Sequence, residues 1–197
     1  LTEDERVDRI IQISDKYGCD NNIIRGLVFC SRKEEAEELS QKFNLKGHKS
    51  IALTGRHSEK EREDAIQKLE SNNIEEKLDF IFTVDIFNEG IDIPKINQII
   101  MLRPTQSNII FIQQLGRGLR RFEEKEYLTV IDFIGNYQNN FLIPVALFGD
   151  TTYNKDTLRR LLSSGSAEIP GSSTVNFDEI SKKRIFTVSI VFKNVQF

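Results

Sequence analysis

The residues most able to do chemistry together lie between Ile109 and Arg121, in the run IIFIQQLGRGLRR. At helical spacing Gln113, Gly116, Arg117 and Arg120 fall at i, i+3, i+4 and i+7, so one stripe of a helix carries them all. Ile112, Leu115 and Leu119 form a second, apolar stripe that can hold the helix on a core while both guanidinium groups reach outward. Gly116 and Gly118 each cost about 1 kcal/mol relative to Ala inside a helix, which suits close approach of a backbone or a phosphate. A solvated amphipathic helix with surface arginines has the same pattern. The two differ in whether the rest of the chain brings a phosphate to those arginines.

The elements that must position this run alternate in type. Residues 3–17 place Val7, Ile10, Ile11 and Ile13 among charged neighbours, which predicts an amphipathic helix ending before Gly18. GLVFC at 26–30 is a continuous apolar run suited to a buried parallel strand. Ser31 with Glu34 then reads as a capping box, opening a helix whose inner face carries Ala36, Leu39 and Phe43. The pattern repeats with a strand at 50–53, a loop at 54–57, and a second capping box of Ser58 with Glu61 before Ala65, Ile66 and Leu69. Further strands are expected at 78–84, 98–102, 127–133 and 141–148. Strands alternating with helices predict a parallel sheet covered on both faces and wound by right-handed crossovers. Such sheets place their ligand loops at the carboxyl ends of the strands. Ser31-Arg32, Thr54-Gly55-Arg56 and the stretch from Thr83 to Pro94 all lie at or just after expected strand ends.

Composition narrows the class. The 197 residues suffice for one sizeable α/β domain with a small appendage. Hydrophobic residues at 39% and charged residues at 29% are ordinary for a globular protein, and no apolar run is long enough for a membrane span. Cys19 and Cys30 show no CxxC spacing and only two histidines accompany them, so neither a metal site nor a disulfide framework is expected. This cysteine usage fits a cytoplasmic protein. A net charge of -3 argues against a coat for polyanions, while a local basic strip remains compatible with it. The chain begins at Leu1 and has its one methionine at Met101, which fits a piece of a longer polypeptide. After Gly149, a helix around Leu158, Leu161 and Leu162, a linker-like SSGSAEIPGSST and an apolar segment at 185–192 suggest a further small unit.

In order and spacing, GLVFCSRKEEAEEL, ALTGRHSEKEREDAIQKLE, FIFTVDIFNEGIDIPKINQIIML and FIQQLGRGLRR resemble the motifs of the second RecA-like domain of superfamily 2 helicases. The resemblance covers residues 20–134 and is nearest to the DNA translocases of restriction and repair systems, whose motif also reads E-G-x-D-I-P. It implies an α/β fold: a RecA-like parallel sheet with helices on both faces, plus a small C-terminal α+β extension. The corresponding division is an N-terminal helix and linker at 1–25, the RecA-like domain at 26–150 and the start of an extension at 151–197. In this family ATP with Mg²⁺ is held mainly by a first RecA-like domain, which supplies the P-loop. The second domain supplies arginines to the γ-phosphate. By resemblance Arg117 and Arg120 are those arginines, Gln113 stands near the attacking water, and Glu89, Gly90, Asp92 and Gly116 line the nucleotide side. Ser31, Arg32, Thr54, Gly55, Arg56 and Thr83 are then candidates for gripping the nucleic-acid backbone, in part through free N–H groups at helix starts. Leu119 stands where many RNA helicases of the superfamily have a second glycine, which favours DNA. The region from Gly135 to Asp150, with YNKDTLRRLL after it, resembles the segment beyond the core in helicase-related proteins that also carry a nuclease-like domain.

No GxxxxGK[ST] occurs, so this chain by itself is expected to hydrolyse no ATP. Asp178-Glu179 lies after the arginine motif with no P-loop upstream and reads as the start of a surface helix. His57 is expected as an exposed loop histidine. Two rivals stand beside the motor: a non-catalytic nucleic-acid-binding or protein-interaction module on the same scaffold, and a free-standing nucleotide-binding enzyme of doubly wound fold. Against the second stands the lack of both a P-loop and a G-x-G-x-x-G.

Overall fold

The apolar run after Arg25 forms β1 (Gly26–Phe29), and every residue of it is buried. A strand with no polar face must be covered on both sides, so its neighbours in the sheet and the helices above and below follow from its composition. The computed structural model describes residues 3–84, 93–103 and 127–133. All of them belong to one unit, Leu1–Arg103 with Gln113–Phe133. The run 109–121, residues 85–92 and everything expected after residue 133, including the α+β extension and the boundary at 150, lie outside the described residues.

In chain order the elements are α1 (Glu3–Tyr17), a single helical turn at Asp20–Asn22, β1, α2 (Lys33–Leu45), β2 (Ser50–Leu53), α3 (Glu59–Glu70), β3 (Phe80–Thr83), β4 (Gln98–Met101) and β5 (Thr129–Asp132). The five strands form one sheet in the order β2-β3-β1-β4-β5. Every pair in it is parallel. From β1 the chain steps outward to β2, then back inward to β3. Right-handed crossovers in opposite directions put α2 and α3 on opposite faces of the sheet.

Side-chain alternation agrees with that placement. Val28 and Cys30 of the β1 run, Phe80, Phe82, Ile100 and Ile131 join Val7 and Ile10 of α1 and Ala36, Leu39 and Phe43 of α2 in one cluster. Phe43 meets Phe80 and Phe82 edge-on, with ring centroids 5.2 and 4.9 Å apart. Leu69 and Ala65 of α3 are buried outside that cluster, on the face shared by Leu27, Leu53 and Ile81.

α1 belongs to the core through more than apolar contact. Ser14 is buried and its Oγ donates to Gln98 Oε1 at 2.6 Å, while Gln98 Nε2 donates to the carbonyls of Ser14 and Gly18. The Ser14 carbonyl, which also accepts from the Gly18 amide at 2.9 Å, and the Gly18 carbonyl just past the helix are thus both met by a β4 side chain. Next to it, Asn97 accepts from the Arg25 amide and donates to the carbonyls of Asp20 and Ile23. Gly18, at φ 65°, lets the chain turn out of the helix at that point.

Candidate functional site

Because all five strands run the same way, their carboxyl ends share one edge, and β2, β3 and β1 stand side by side along it. Leu53, Thr83 and Phe29 occupy one rung of the ladder. The ladder continues past the strand end, with the Cys30 amide donating to the Thr83 carbonyl at 2.9 Å. Adjacent strands lie about 4.8 Å apart, so the three loops at their ends are immediate neighbours. Ser31, Arg32, Thr54, Gly55, Arg56 and Thr83 are therefore brought to one edge. Gln113, Gly116, Arg117, Arg120, Glu89, Gly90 and Asp92 lie outside the described residues.

The β1–α2 loop differs from its sequence reading. Arg32, in extended conformation, is the residue before the first helical turn, and no side chain caps it. The expected box of Ser31 with Glu34 does not form, because the helix starts after Arg32 rather than after Ser31. Instead Glu35, in the third position of α2, reaches back and accepts from the Ser31 amide at 2.8 Å. The other oxygen of Glu35 is held by Arg6 of α1. Ser31 and Arg32 are exposed.

The β2–α3 loop is a tight turn closed on itself. The His57 amide donates to the Thr54 carbonyl at 3.1 Å. The Thr54 amide donates to His57 Nδ1 at 3.1 Å. That second bond makes Nδ1 the acceptor and puts the imidazole proton on Nε2. The Arg56 amide leans on Thr54 Oγ1 at 3.4 Å. Thr54 is fully buried, so its hydroxyl shapes the turn, while Gly55 and Arg56 are exposed. A side chain built at Gly55 would meet nothing within 4 Å, which leaves its backbone open to close approach. Ser58 and Glu61 then form the expected capping box, with the Ser58 amide donating to Glu61 at 2.7 Å. The bond from the Ser58 hydroxyl holds the Glu61 carboxyl below its ordinary range.

Thr83 ends β3 with its side chain fully buried and its hydroxyl unpaired among the described residues. Arg62, one turn into α3, has a buried Nε that is likewise unpaired. Unpaired buried polar atoms are uncommon, and two of the three found among the described residues are at or near this edge. The arrangement presents exposed cations at Arg32 and Arg56 beside an open backbone at Gly55. Such groups hold phosphates without reading bases. His57 is only partly exposed, a correction to its expected place in solvent, since its ring is needed inside the turn. The readable signal was Thr-x-x-His across a four-residue turn. For Glu35 it was a carboxylate three residues past the helix-starting residue.

Residues 5–121 match the model of the helicase conserved C-terminal domain. IRC3 of Saccharomyces cerevisiae, named as an ATP-dependent helicase, is 35% identical over 109 residues, covering 55% of this chain and 15% of that protein. SrmB of Haemophilus influenzae, named as an ATP-dependent RNA helicase, is 30% identical over 98 residues, covering 50% and 21%. The chain thus spans about a fifth or less of the length of these relatives. The crystal structure of the yeast DEAD-box splicing factor Prp28 shares the fold, with a TM-score of 0.60 at 18% identity over 94% of this chain and 35% of that one. A match that runs from α1 through the arginine-bearing run, on a parallel sheet of this strand order, makes the chain a member of the helicase conserved C-terminal domain family of superfamily 2 helicases.

Proposed function

We propose that this chain is the second motor domain of an ATP-dependent DNA helicase or translocase. The observation that carries the reading is the gathering of Ser31-Arg32, Thr54-Gly55-Arg56 and Thr83 at one sheet edge, in a domain whose family match extends through the run GRGLR. In this reading the edge grips the sugar-phosphate backbone. Arg117 and Arg120 meet the γ-phosphate of a nucleotide carried by a first RecA-like domain of the same parent protein, and Gln113 orients the attacking water. Gly90, Asp92, Glu89 and Gly116 border the nucleotide. When bound, ATP with Mg²⁺ supplies the phosphoryl transfer that drives domain closure and release. Among the described residues no cluster of His, Cys, Asp or Glu could hold a metal ion, so no step through the metal is placed on them. The preference for DNA rests on Leu119 and on the E-G-x-D-I-P spelling at 89–94. A nuclease-like domain in the parent would fit a restriction or repair system.

Planar guanidinium groups suit this chemistry because charge spreads over several phosphate oxygens in the transition state. The test is nucleic-acid-stimulated ATP hydrolysis by the full-length parent protein, wild type against Arg120→Ala. A loss of about 10³-fold or more, with nucleotide binding retained, is expected for an arginine finger. Unchanged hydrolysis would remove the arginine from the reaction. Running the same assay with single-stranded DNA and with RNA of equal length decides the nucleic acid. The 197-residue chain alone is expected to hydrolyse no ATP.

A further inference from the structure

His57 sits in a loop of this edge whose backbone is open, and no sequence motif assigns it a role. Its polar links run to Thr54: its amide to the Thr54 carbonyl and the Thr54 amide to its Nδ1, each at 3.1 Å, with Thr54 Oγ1 and the Thr54 carbonyl each 3.4 Å from Nδ1. Thr54 is fully buried, so without Nδ1 its amide would have no partner and no water to replace it. Between these two residues stand Gly55 and Arg56, both exposed, with open space where a Gly55 side chain would begin. On the other side the Ser58–Glu61 box anchors the turn to α3. By contrast, at the β1–α2 loop the Ser31 amide is already engaged by Glu35.

We propose that His57 is a positioning residue for nucleic-acid binding, holding the Thr54–Arg56 turn in the form that offers the Gly55 backbone and the Arg56 guanidinium to a phosphate. This rests on the backbone-gripping role proposed above for the same edge. The ring acts through Nδ1 as the acceptor for the Thr54 amide and makes no phosphate contact. Asparagine can reproduce that acceptor, because its Oδ1 takes the place of Nδ1 at the same distance along the side chain.

The test is binding of a labelled single-stranded oligo-dT and of an oligo-rU of equal length to the full-length protein, across a salt series. His57→Ala is expected to weaken binding about tenfold, with the slope of log affinity against log salt unchanged, because no phosphate charge pair is lost. His57→Asn is expected to restore affinity to within about twofold. Arg56→Ala is expected to weaken binding and to reduce the slope by about one unit, since it removes one phosphate contact. The Thr54 amide should exchange with solvent faster in His57→Ala and return to its wild-type rate in His57→Asn. Should alanine at this position unfold the domain, His57→Leu fills the space without an acceptor and takes its place.

The proposal is overturned if His57→Ala binds like wild type, if His57→Asn is as weak as His57→Ala, or if His57→Ala also lowers the slope, which would make the ring a phosphate contact. If Arg56→Ala weakens binding while His57→Ala does not, only the role of His57 fails. If the wild type binds neither oligonucleotide, or neither variant has any effect, the gripping role of this edge fails and the proposal goes with it.

Discussion

Cys30 and Glu61 show how differently two titrating groups fare at the same sheet edge. Burial pushes the Cys30 thiol well above the ordinary cysteine range, and the Glu35 carboxylate pushes it the same way. Since the thiolate is the reacting form, Cys30 is expected to alkylate with iodoacetamide at least about 100-fold more slowly in the native chain than in denaturant. Peptide mass spectrometry after timed quenching reads this directly. Glu61 is exposed and carries the opposite shift, its carboxyl lowered first by the Ser58 hydroxyl and then by the Ser58 amide. A carboxyl lowered on folding contributes stability above its unfolded value, about 4.3 for Glu, and loses it as pH falls through the lower folded value. Wild type should therefore melt above Glu61→Gln at neutral pH, and the gap in thermal midpoint should close as pH drops below the ordinary carboxylate range. Ser58 with Glu61 was legible because a capping box needs only residues three apart. Ser31 with Glu34 has the same spelling and does not form, because α2 starts after Arg32 and the Ser31 amide goes to Glu35, whose other oxygen meets Arg6, 29 positions earlier.

Among the elements, β1 depends on what Gly26 lacks. A Cβ at Gly26 would fall 2.3 Å from Phe80 Cδ1. Phe80 cannot swing aside, being fully buried with its ring edge-on to Phe43 at 5.2 Å and to His48 at 5.6 Å. Gly26→Ala is expected to cost about 1–3 kcal/mol by overpacking, read as a lower midpoint in urea with an unchanged slope. An unmoved midpoint would mean that the aromatic cluster yields. The apolar pattern located α1 to α3 and β1 to β5, because burial is written into each segment by itself, but not the single turn at Asp20–Asn22, which carries no apolar residue. β2 keeps its expected bounds, while the other strands are shorter than their apolar runs, as in Phe80–Thr83 against an expected 78–84, where Leu78 and Asp79 turn instead to partners at Lys68 and Lys49.

The whole molecule makes α1 part of the sheet domain. Val7 and Ile10 are almost fully buried against the sheet, and fully burying a side chain of this size stabilises by about 1.5–3 kcal/mol. Removing residues 1–17 is expected to lower stability by about 3–6 kcal/mol on those two side chains alone. It would also leave Gln98 without its partners at Ser14, the hydroxyl donor and the carbonyl acceptor. Equilibrium unfolding of the shortened chain beside the full one measures the loss. Of the ion pairs that α1 makes, Asp4 with Lys42 and Asp8 with Lys46 are surface contacts and add little, whereas Arg6 with Glu35 is part-buried.

Residue patterns alone set out the segments, the parallel alternation, the Ser58 cap and the loops at the carboxyl ends of the strands. All of these come from interactions within a few residues or from rules that govern any βαβ chain. It took the packed sheet to make β2, β3 and β1 neighbours, with Leu53, Thr83 and Phe29 on one rung and the loops of Ser31-Arg32 and Thr54-Gly55-Arg56 just beyond it. Packing also decided that Ser14 pairs with Gln98 across 84 positions and that His57 turns inward. Strand order is set by which apolar faces pack best together once all are present. A buried amide takes its partner from whatever packing brings within reach, and no local pattern of residues encodes either outcome.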